Sequence, residues 1–208
     1  MNAPRYAVIF DCEFAAVEGS LGRLWCGPAD PDPVLVQIGA AKLVLGDDFD
    51  VHETYRRFVR PLNRAGKPLT IDPFLTSLTG ISQSDIDREG VALEAALAEF
   101  DRFSEGALLW SWGKDELFAL AVSCFVAGIT PPIPATRFAN ACALLLAAGM
   151  PAEDLSRTRS SDLAAYYNIA RPALHAHDAL DDALSVAYAL QLLLRQGKLT
   201  PDALLSSR

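Results

Sequence analysis

The fold of this protein is decided by one apolar stretch near its amino terminus, Tyr6-Ala7-Val8-Ile9-Phe10-Asp11-Cys12-Glu13-Phe14. The stretch is rich in β-branched and aromatic residues, which predicts a strand whose successive side chains point to opposite faces. Both faces are largely apolar, which is typical of a central strand covered on both sides. Asp11 and Glu13 share one face at the carboxyl end, so we expect two carboxylates to project together from a core strand. A buried acidic pair is costly unless a cation meets it, and a divalent metal ion is the simplest such partner.

An Asp-X-Glu sequence at a strand end also has an ordinary explanation, because the chain can simply emerge into solvent there. Taken alone, the motif of Asp11 and Glu13 leaves that explanation open. Two later acids and a histidine, Asp115, Asp182 and His177, bear on the choice because helical periodicity predicts where their side chains point.

Length and composition predict a single domain. The chain has 208 residues, of which 51% are hydrophobic, and this suits one packed core. We expect one domain over residues 1–208, with a core at about 5–195 and a C-terminal tail at 196–208. No apolar run reaches the roughly eighteen residues of a membrane span, and the opening residues do not resemble a secretory signal. The four cysteines form no C-x-x-C pair, so we expect free thiols and a cytoplasmic protein.

The net charge of −8 limits how the chain could bind nucleic acid. Proteins that grip long duplexes usually have a basic face, because phosphate neutralisation supplies most of the non-specific affinity. We therefore expect no tightly DNA-bound, processive enzyme, whereas an enzyme of short strand ends that uses metal ions stays possible. The basic residues concentrate in one region, namely Arg56, Arg57, Arg60, Arg64 and Lys67. We interpret that region as the solvated face of an edge strand, and a rim for a phosphate backbone is the alternative.

The order of the predicted elements is typical of a mixed α/β fold. Strands are predicted at 6–14, 34–45 and 52–59, and a Gly-Asp-Asp turn between the last two predicts an antiparallel start to the sheet. Two short strands are predicted further along the chain, at 107–112 and 136–139. Helices are predicted from 73, from 83, and at 91–103, 114–127, 141–148, 162–167, 179–194 and 201–205. We therefore expect a mixed five-stranded sheet flanked by helices, with the Gly/Pro-rich segment 17–33 as an insertion beside the acidic pair.

Asp115 lies in the first turn of the predicted helix 114–127. Its helical neighbours Phe118, Ala119 and Val122 are apolar, so we expect Asp115 on the inward stripe of that helix. The alternative is that the carboxylate only complements the positive end of the helix dipole.

Asp182 gives a sharper prediction. At 3.6 residues per turn it aligns with an apolar stripe made of Ala179, Val186, Ala189 and Leu193. Its neighbour Asp181 falls on a more polar side, with Asp178, Ser185 and Tyr188. We therefore expect Asp182, and not Asp181, to face the core. Buried acids are rare unless paired, so a metal ion shared with the strand acids is the economical explanation.

His177 directly precedes the helix of Asp182. On one continuous helix the two residues would be about 140° apart, so they reach the same site only if His177 belongs to the entering loop, which Pro172 favours. A histidine with a pKa near 6.5 suits proton transfer from water at neutral pH. A surface histidine beside His175 is the alternative.

Three ordered motifs together resemble a known family, the histidine-containing DEDD (DEDDh) 3′–5′ exonucleases of the ribonuclease H-like, DnaQ-like superfamily. They are Phe10-Asp11-Cys12-Glu13-Phe14, the segment Trp110 to Phe118, and the segment His177 to Ala183 with the form H-x-A-x-x-D-A. Leu78-Thr79-Gly80-Ile81-Ser82 and Phe58-Val59-Arg60-Pro61 are also similar to family segments. The texture is closest to the Eri1-like and KapD-like branch, which leans toward RNA.

The resemblance implies a site and an activity. Asp11, Glu13, Asp115 and Asp182 would hold two divalent cations, Mg²⁺ or Mn²⁺. His177 would be the general base, with Glu13 also counted as catalytic. The segments at Phe14, Leu78 and Thr79 would contact the substrate, which is the 3′ end of single-stranded RNA or DNA.

Two departures from the family pattern bear on that implication. Phe14 stands where many relatives have Thr, and Gln37 stands where many have Glu. A DNA-directed proofreading or repair exonuclease and a catalytically silent nucleic-acid-binding module are the alternative functions. A homodimer is expected only by analogy with short relatives.

Overall fold

The structure, a computed structural model, describes residues 5–170 and 174–206. Its centre is a five-stranded sheet in the order β3-β2-β1-β4-β5. The strands are β1 (Tyr6–Phe14), β2 (Leu35–Val44), β3 (Val51–Phe58), β4 (Leu109–Ser111) and β5 (Phe138–Asn140). Strands β1, β2 and β3 pair antiparallel, and β4 and β5 continue the sheet in parallel with β1. This confirms the predicted mixed sheet of the ribonuclease H-like kind, and the stretch of residues 6–14 is its central strand.

The helices alternate with the later strands, as predicted. They are α1 (Pro73–Thr79), α2 (Gln83–Glu89), α3 (Leu93–Ser104), α4 (Asp115–Ala127), α5 (Ala141–Ala147), α6 (Ala152–Arg157), α7 (Leu163–Tyr166), α8 (Ala179–Arg195) and α9 (Pro201–Leu205). The predicted caps are present: Asp72 accepts from the backbone N–H of Phe74, and Ser82 and Asp85 form a capping box. Helix α6 was not predicted, because six residues without a long apolar stripe give little periodic signal.

Each face of the sheet has its own apolar core. On one face β1 contributes Val8, Phe10 and Cys12, which pack with residues of α3 and α4. On the other face it contributes Ala7 and Ile9, which pack with residues of α5, α8 and α9. Because strand side chains alternate, the two carboxylates of β1 lie on the α8 side.

Helix α8 begins in contact with strand β2. A Cβ atom on Gly39 would lie 2.1 Å from the backbone nitrogen of Leu180, so only glycine allows this approach. Gly39 is the cross-strand partner of Asp11. The start of α8 is therefore held directly beside the acidic end of β1.

Gln37 fixes the same helix end through hydrogen bonds. Its side chain is fully buried, its Oε1 accepts from the backbone N–H of Ala179 at 2.8 Å, and its Nε2 donates to Asp178 Oδ2 at 3.3 Å. A glutamate there could accept from Ala179 but could not donate to Asp178. The departure from the family pattern at this position thus has a structural role in this chain.

The remaining segments agree with the sequence expectations in most respects. Strand β3 is an edge strand, and its arginines are paired: Arg56 with Asp178 at 2.8 Å and Arg57 with Glu99 at 2.8 Å. Strand β5 begins two residues later than predicted, because 135–137 forms a 3₁₀ turn. Beyond residue 195, Leu204 is buried in the α8-side core. Among the described residues, no helix has the length and apolar character needed to cross a membrane.

Candidate active site

The two acids of β1 are buried although they end the strand. Asp11 is 8% exposed and Glu13 is 9% exposed. Their cross-strand partners are Gly39 and Gln37, the two residues that hold the start of α8. The prediction that β1 carries two inward carboxylates at its carboxyl end is confirmed.

Helix α8 brings the third acid to them. Asp182 is 5% exposed, whereas Asp181 is only half-buried and its Oδ2 accepts from the backbone N–H of His175 at 2.7 Å. The predicted inward stripe of Asp182 is buried along its length, at Ala179, Val186, Ala189 and Leu193. The choice of Asp182 over Asp181, made from helical periodicity, is therefore confirmed.

His177 lies in the turn before α8, as the helical geometry required. Its backbone has φ = 64°, a left-handed conformation that is rare for residues other than glycine, and its N–H donates to Asp182 Oδ2 at 3.3 Å. Ligand atoms of Glu13, His177 and Asp182 all lie within 4.8 Å of one another. Pro172, which was expected to favour this turn, lies outside the described residues.

Helix α4 corrects one prediction. Asp115 is exposed, and Phe118, its predicted companion on an inward stripe, is 60% exposed. The buried stripe of α4 is instead Glu116, Ala119, Leu120, Ser123 and Cys124. Periodicity misassigned the stripe because α4 is apolar on nearly every side, so two neighbouring stripes fit the sequence equally well.

Burial of several acids together disfavours their charged forms. Burial raises the pKa of Asp11 well above its usual range, and the charges of Glu116 and Glu13 raise it further. Burial likewise raises the pKa of Glu13, with the charge of Asp182 as the next cause. Burial also raises the pKa of Asp182, to about 7. Without a cation, the cluster therefore favours protonated carboxyl groups.

Burial changes the pKa of the histidine in the opposite direction to that of the acids. Burial lowers the pKa of His177, the nearby guanidinium of Arg159 lowers it further, and Asp162 opposes this. His177 is thus neutral at neutral pH and can accept a proton.

One cavity of about 440 Å³ is lined by the four proposed acids and the histidine, that is Asp11, Glu13, Asp115, Asp182 and His177, and also by Glu116. Its walls also include four partly buried aromatic side chains, those of Phe14, Trp25, Phe74 and Trp112. Trp25 belongs to the insertion 17–33, which confirms that this segment lies beside the acidic pair. The rings of Phe14 and Trp25 are in contact, with centroids 5.7 Å apart.

The expected substrate-contacting residues are divided between two clefts. Phe14 and Leu78 line the cavity of the acids. Thr79 lines a neighbouring cleft with Arg56 and His175, and its hydroxyl is occupied locally, donating to the Leu75 carbonyl at 2.9 Å and accepting from the Ile81 N–H at 3.1 Å.

Two charged residues of the cavity, Glu116 and Arg159, were not predicted from the sequence. Glu116 would have been found from the stripe Glu116, Ala119, Leu120 and Ser123, had that stripe been preferred to the neighbouring one. Arg159 is the one Lys or Arg side chain that lines the cavity among the described residues. No pattern in its surroundings predicted this, because its segment joins two short helices with no periodic signal.

The chemistry of the site suits divalent cations. Among the described residues, the buried side-chain polar atoms without a hydrogen-bond partner are Asp182 Oδ1 and Glu116 Oε2. Unpartnered buried carboxylate oxygens are expensive, and hard cations such as Mg²⁺ and Mn²⁺ take oxygen ligands of this kind. The residues therefore fit the metal ions that the family resemblance implies.

Comparison with known proteins agrees with the geometry. A family model for RNase T, described as an exonuclease, matches residues 8–190. No curated protein matches the chain at a significant level.

Solved structures share the fold at low sequence identity. The nuclease domain of 3′hExo, a DEDDh family member bound to rAMP, is 20% identical, with a TM-score of 0.74 over 94% of this chain and 94% of that chain. A 3′-exonuclease in a structure of 3′-end-specific recognition of a histone mRNA stem-loop is 18% identical, with a TM-score of 0.72 over 95% of this chain and 84% of that chain. Exonuclease X in complex with 5′ overhanging duplex DNA is 15% identical, with a TM-score of 0.58 over 96% of this chain and 97% of that chain.

Proposed function

This chain belongs to the RNase T family of exonucleases, and from that membership we propose that it is a metal-dependent 3′–5′ exonuclease. It releases nucleoside monophosphates from the 3′ end of RNA or of short single-stranded oligonucleotides. The observation that supports this most directly is the convergence of Asp11, Glu13, Asp182 and His177, from β1 and the start of α8, in one cavity.

The proposed metal ligands are Asp11, Glu13 and Asp182, together with one acid from the first turn of α4, for which Asp115 is the expectation from the family motif. Two divalent cations bound there would lower the pKa of an attacking water and stabilise the charge that develops on the phosphate. Mg²⁺ and Mn²⁺ both suit a site of carboxylate oxygens.

His177 is proposed as the general base. Its neutral imidazole accepts the proton of the attacking water, and its backbone N–H holds Asp182 Oδ2, so one residue orients an acid and takes up a proton. The carboxylate of Glu13 lies within 4.8 Å of a ring nitrogen of His177, so Glu13 restricts the position of the attacking water.

Arg159 is proposed to bind the scissile phosphate. It lines the cavity and is exposed, and no ion pair involves it among the described residues. A guanidinium can contact two phosphate oxygens at once, which would anchor the reacting group against the acids.

The aromatic walls suit a terminal base. Planar rings at Phe14, Trp25 and Trp112 offer stacking surfaces that accept any base, because every base has a π-face. Such a pocket favours a splayed single-stranded end over a stacked duplex end.

RNA is the proposed substrate, and DNA is the second candidate. Of the three solved structures above, the two with the higher TM-scores concern RNA: one is bound to rAMP, and the other describes recognition of a histone mRNA stem-loop. Exonuclease X, which matches 96% of this chain, was solved with duplex DNA and supports the DNA alternative. A contact to the 2′-hydroxyl would decide between the two sugars.

The test is incubation of the protein with 5′-labelled RNA and DNA oligomers of one sequence, with Mn²⁺ and with chelator. We expect a ladder that shortens from the 3′ end, faster for RNA, and no products with chelator. Internal fragments or shortening from the 5′ end would contradict the proposed direction. Intact oligomers that the protein nevertheless retains would favour the catalytically silent binding module.

The location and the assembly of the protein are also proposals. We propose a cytoplasmic site of action because all four cysteines are free thiols, which suits a reducing compartment. The single-domain organisation and the homodimer stay predictions, and light scattering after size-exclusion chromatography tests the second.

A further inference from the structure

We infer that Glu116, and not Asp115, is the acid of α4 that binds metal in this chain. The inference rests on the proposed function and replaces one ligand of the expected set. It is carried by the different positions of two adjacent carboxylates.

The two side chains point in different directions because consecutive helical residues are about 100° apart. Glu116 is 4% exposed and belongs to the buried stripe of α4. Asp115 is exposed, and its Oδ1 lies 3.1 Å from the position that a Cβ atom on Gly113 would occupy. Both residues line the cavity, but Asp115 does so from its solvent-exposed edge beside Gly113, whereas Glu116 is buried in its wall.

Glu116 is only partly satisfied: its carboxyl group has hydrogen bonds with the Ser111 hydroxyl and with Asp115, but one of its two oxygens has no partner in the described part of the chain. Its Oε2 has no hydrogen-bond partner among the described residues, and none of the ion pairs found there involves it. Leaving such an atom unpartnered is unfavourable, and more so when the group is charged. With a structural role alone, the unpartnered oxygen of Glu116 would only destabilise the fold, whereas a bound cation would give that oxygen a partner.

Asp182 Oδ1 is in the same condition, and it lines the same cavity. The two unpartnered oxygens come from α4 and α8, whose apolar residues pack on opposite faces of the sheet. Both residues line the cavity that also contains Asp11, at the end of β1. Unsatisfied carboxylate oxygens that approach one cavity from separate elements are the arrangement that a shared hard cation requires.

The experiment compares Glu116→Gln with Asp115→Asn, a matched pair that each exchanges one carboxylate for an amide. Binding of Mn²⁺ is measured by calorimetry and by the rise in Tm that Mn²⁺ produces, and hydrolysis of a 5′-labelled oligomer is measured alongside. We expect Glu116→Gln to lower Mn²⁺ affinity at least about tenfold and to lower turnover with it. Asp115→Asn should lower Mn²⁺ affinity and turnover clearly less than Glu116→Gln does, because Asp115 is exposed at the cavity edge.

The metal-free Tm of each variant reports folding. If Glu116→Gln does not fold, Glu116→Asp replaces it, because the shorter side chain keeps the charge but withdraws it from the cavity, and we expect the same loss of Mn²⁺ affinity. Loss of Mn²⁺ affinity in Asp115→Asn with retention in Glu116→Gln or Glu116→Asp would overturn this inference and leave the proposed function standing. Retention in every variant would do the same. A wild-type protein that binds no Mn²⁺ would overturn both.

Discussion

Replacing Asp182 with asparagine should stabilise the metal-free protein, and the gain should grow with pH. Asp182 is buried, its Oδ1 is unpartnered, and its pKa is raised to about 7. An unfolded aspartate has a pKa near 3.9. Because the folded-state pKa is the higher one, the folded protein binds the proton more tightly. The penalty for ionising Asp182 is therefore absent below pH 4, grows between pH 4 and 7, and is complete above pH 7.

The magnitude follows from the difference of about 3 pKa units, at 1.36 kcal/mol each. The penalty is about 1.5 kcal/mol at pH 5 and about 4 kcal/mol at pH 8, so Asp182→Asn should gain about 2.5 kcal/mol more at pH 8 than at pH 5. For a domain of this size, that difference corresponds to about 5–10 °C in Tm. The backbone N–H of His177 keeps an acceptor, since the asparagine Oδ1 can take the place of Asp182 Oδ2.

The assay is thermal melting of wild type, Asp182→Asn and the matched control Asp181→Asn, each at pH 5 and pH 8, in EDTA and in Mn²⁺. Asp181 is half-buried, and its Oδ2 already has the backbone N–H and the ring of His175 as partners, so Asp181→Asn should not stabilise the protein at pH 8. Mn²⁺ at about 100 times its Kd should stabilise wild type by about 2.7 kcal/mol at pH 8. It should have little effect on Asp182→Asn, which should also be inactive.

Two outcomes would contradict this prediction: Asp182→Asn could be less stable than wild type at pH 8 in EDTA, or its gain in stability could be equal at the two pH values. Either result would mean that Asp182 is not an ionised, buried acid in the metal-free protein. Equal loss of activity from Asp181→Asn would refute the assignment of the inward helical face.

Three further predictions concern the residues around the acids. Gln37→Leu leaves the Ala179 N–H without its acceptor, so the free energy of unfolding should fall by about 1–3 kcal/mol and Tm by about 2–12 °C. An unchanged Tm would mean that Gln37 does not hold α8. His177→Asn suits the positive φ at this position, so turnover should fall about 10²–10⁴-fold with Mn²⁺ affinity nearly unchanged by calorimetry; a parallel fall in Mn²⁺ affinity would make His177 a ligand. Arg159→Ala should raise KM about tenfold in steady-state hydrolysis. Its control is Arg157→Ala, which removes an exposed arginine that pairs with Glu153 and does not line the cavity, and which should leave KM unchanged. Equal effects of the two substitutions on KM would exclude a specific phosphate contact.

The amino-acid sequence by itself determined the central strand, its inward acids and the choice of Asp182 over Asp181. These three predictions are correct because each depends on a difference between apolar and polar positions that is visible in the sequence. Strand β1 is apolar on both faces and then carries two acids, and α8 has one apolar and one more polar side, so each period assigns a face without ambiguity. The turn position of His177 followed from the same geometry, since a helical His177 could not face the site of Asp182.

The tertiary structure alone decided which acid of α4 is buried in the cavity wall, because that helix has no polar side to contrast with its apolar one. Neighbouring residues 115 and 116 are equivalent in the sequence, and only the direction from which α4 meets the sheet buries Glu116 and exposes Asp115. The contacts of Gly39 and Gln37 with α8 span about 140 residues of chain, and Arg159 reaches the cavity from a segment without periodicity. Local patterns report which way a side chain points relative to its own element, and the meeting of elements distant in the chain depends on how they pack together.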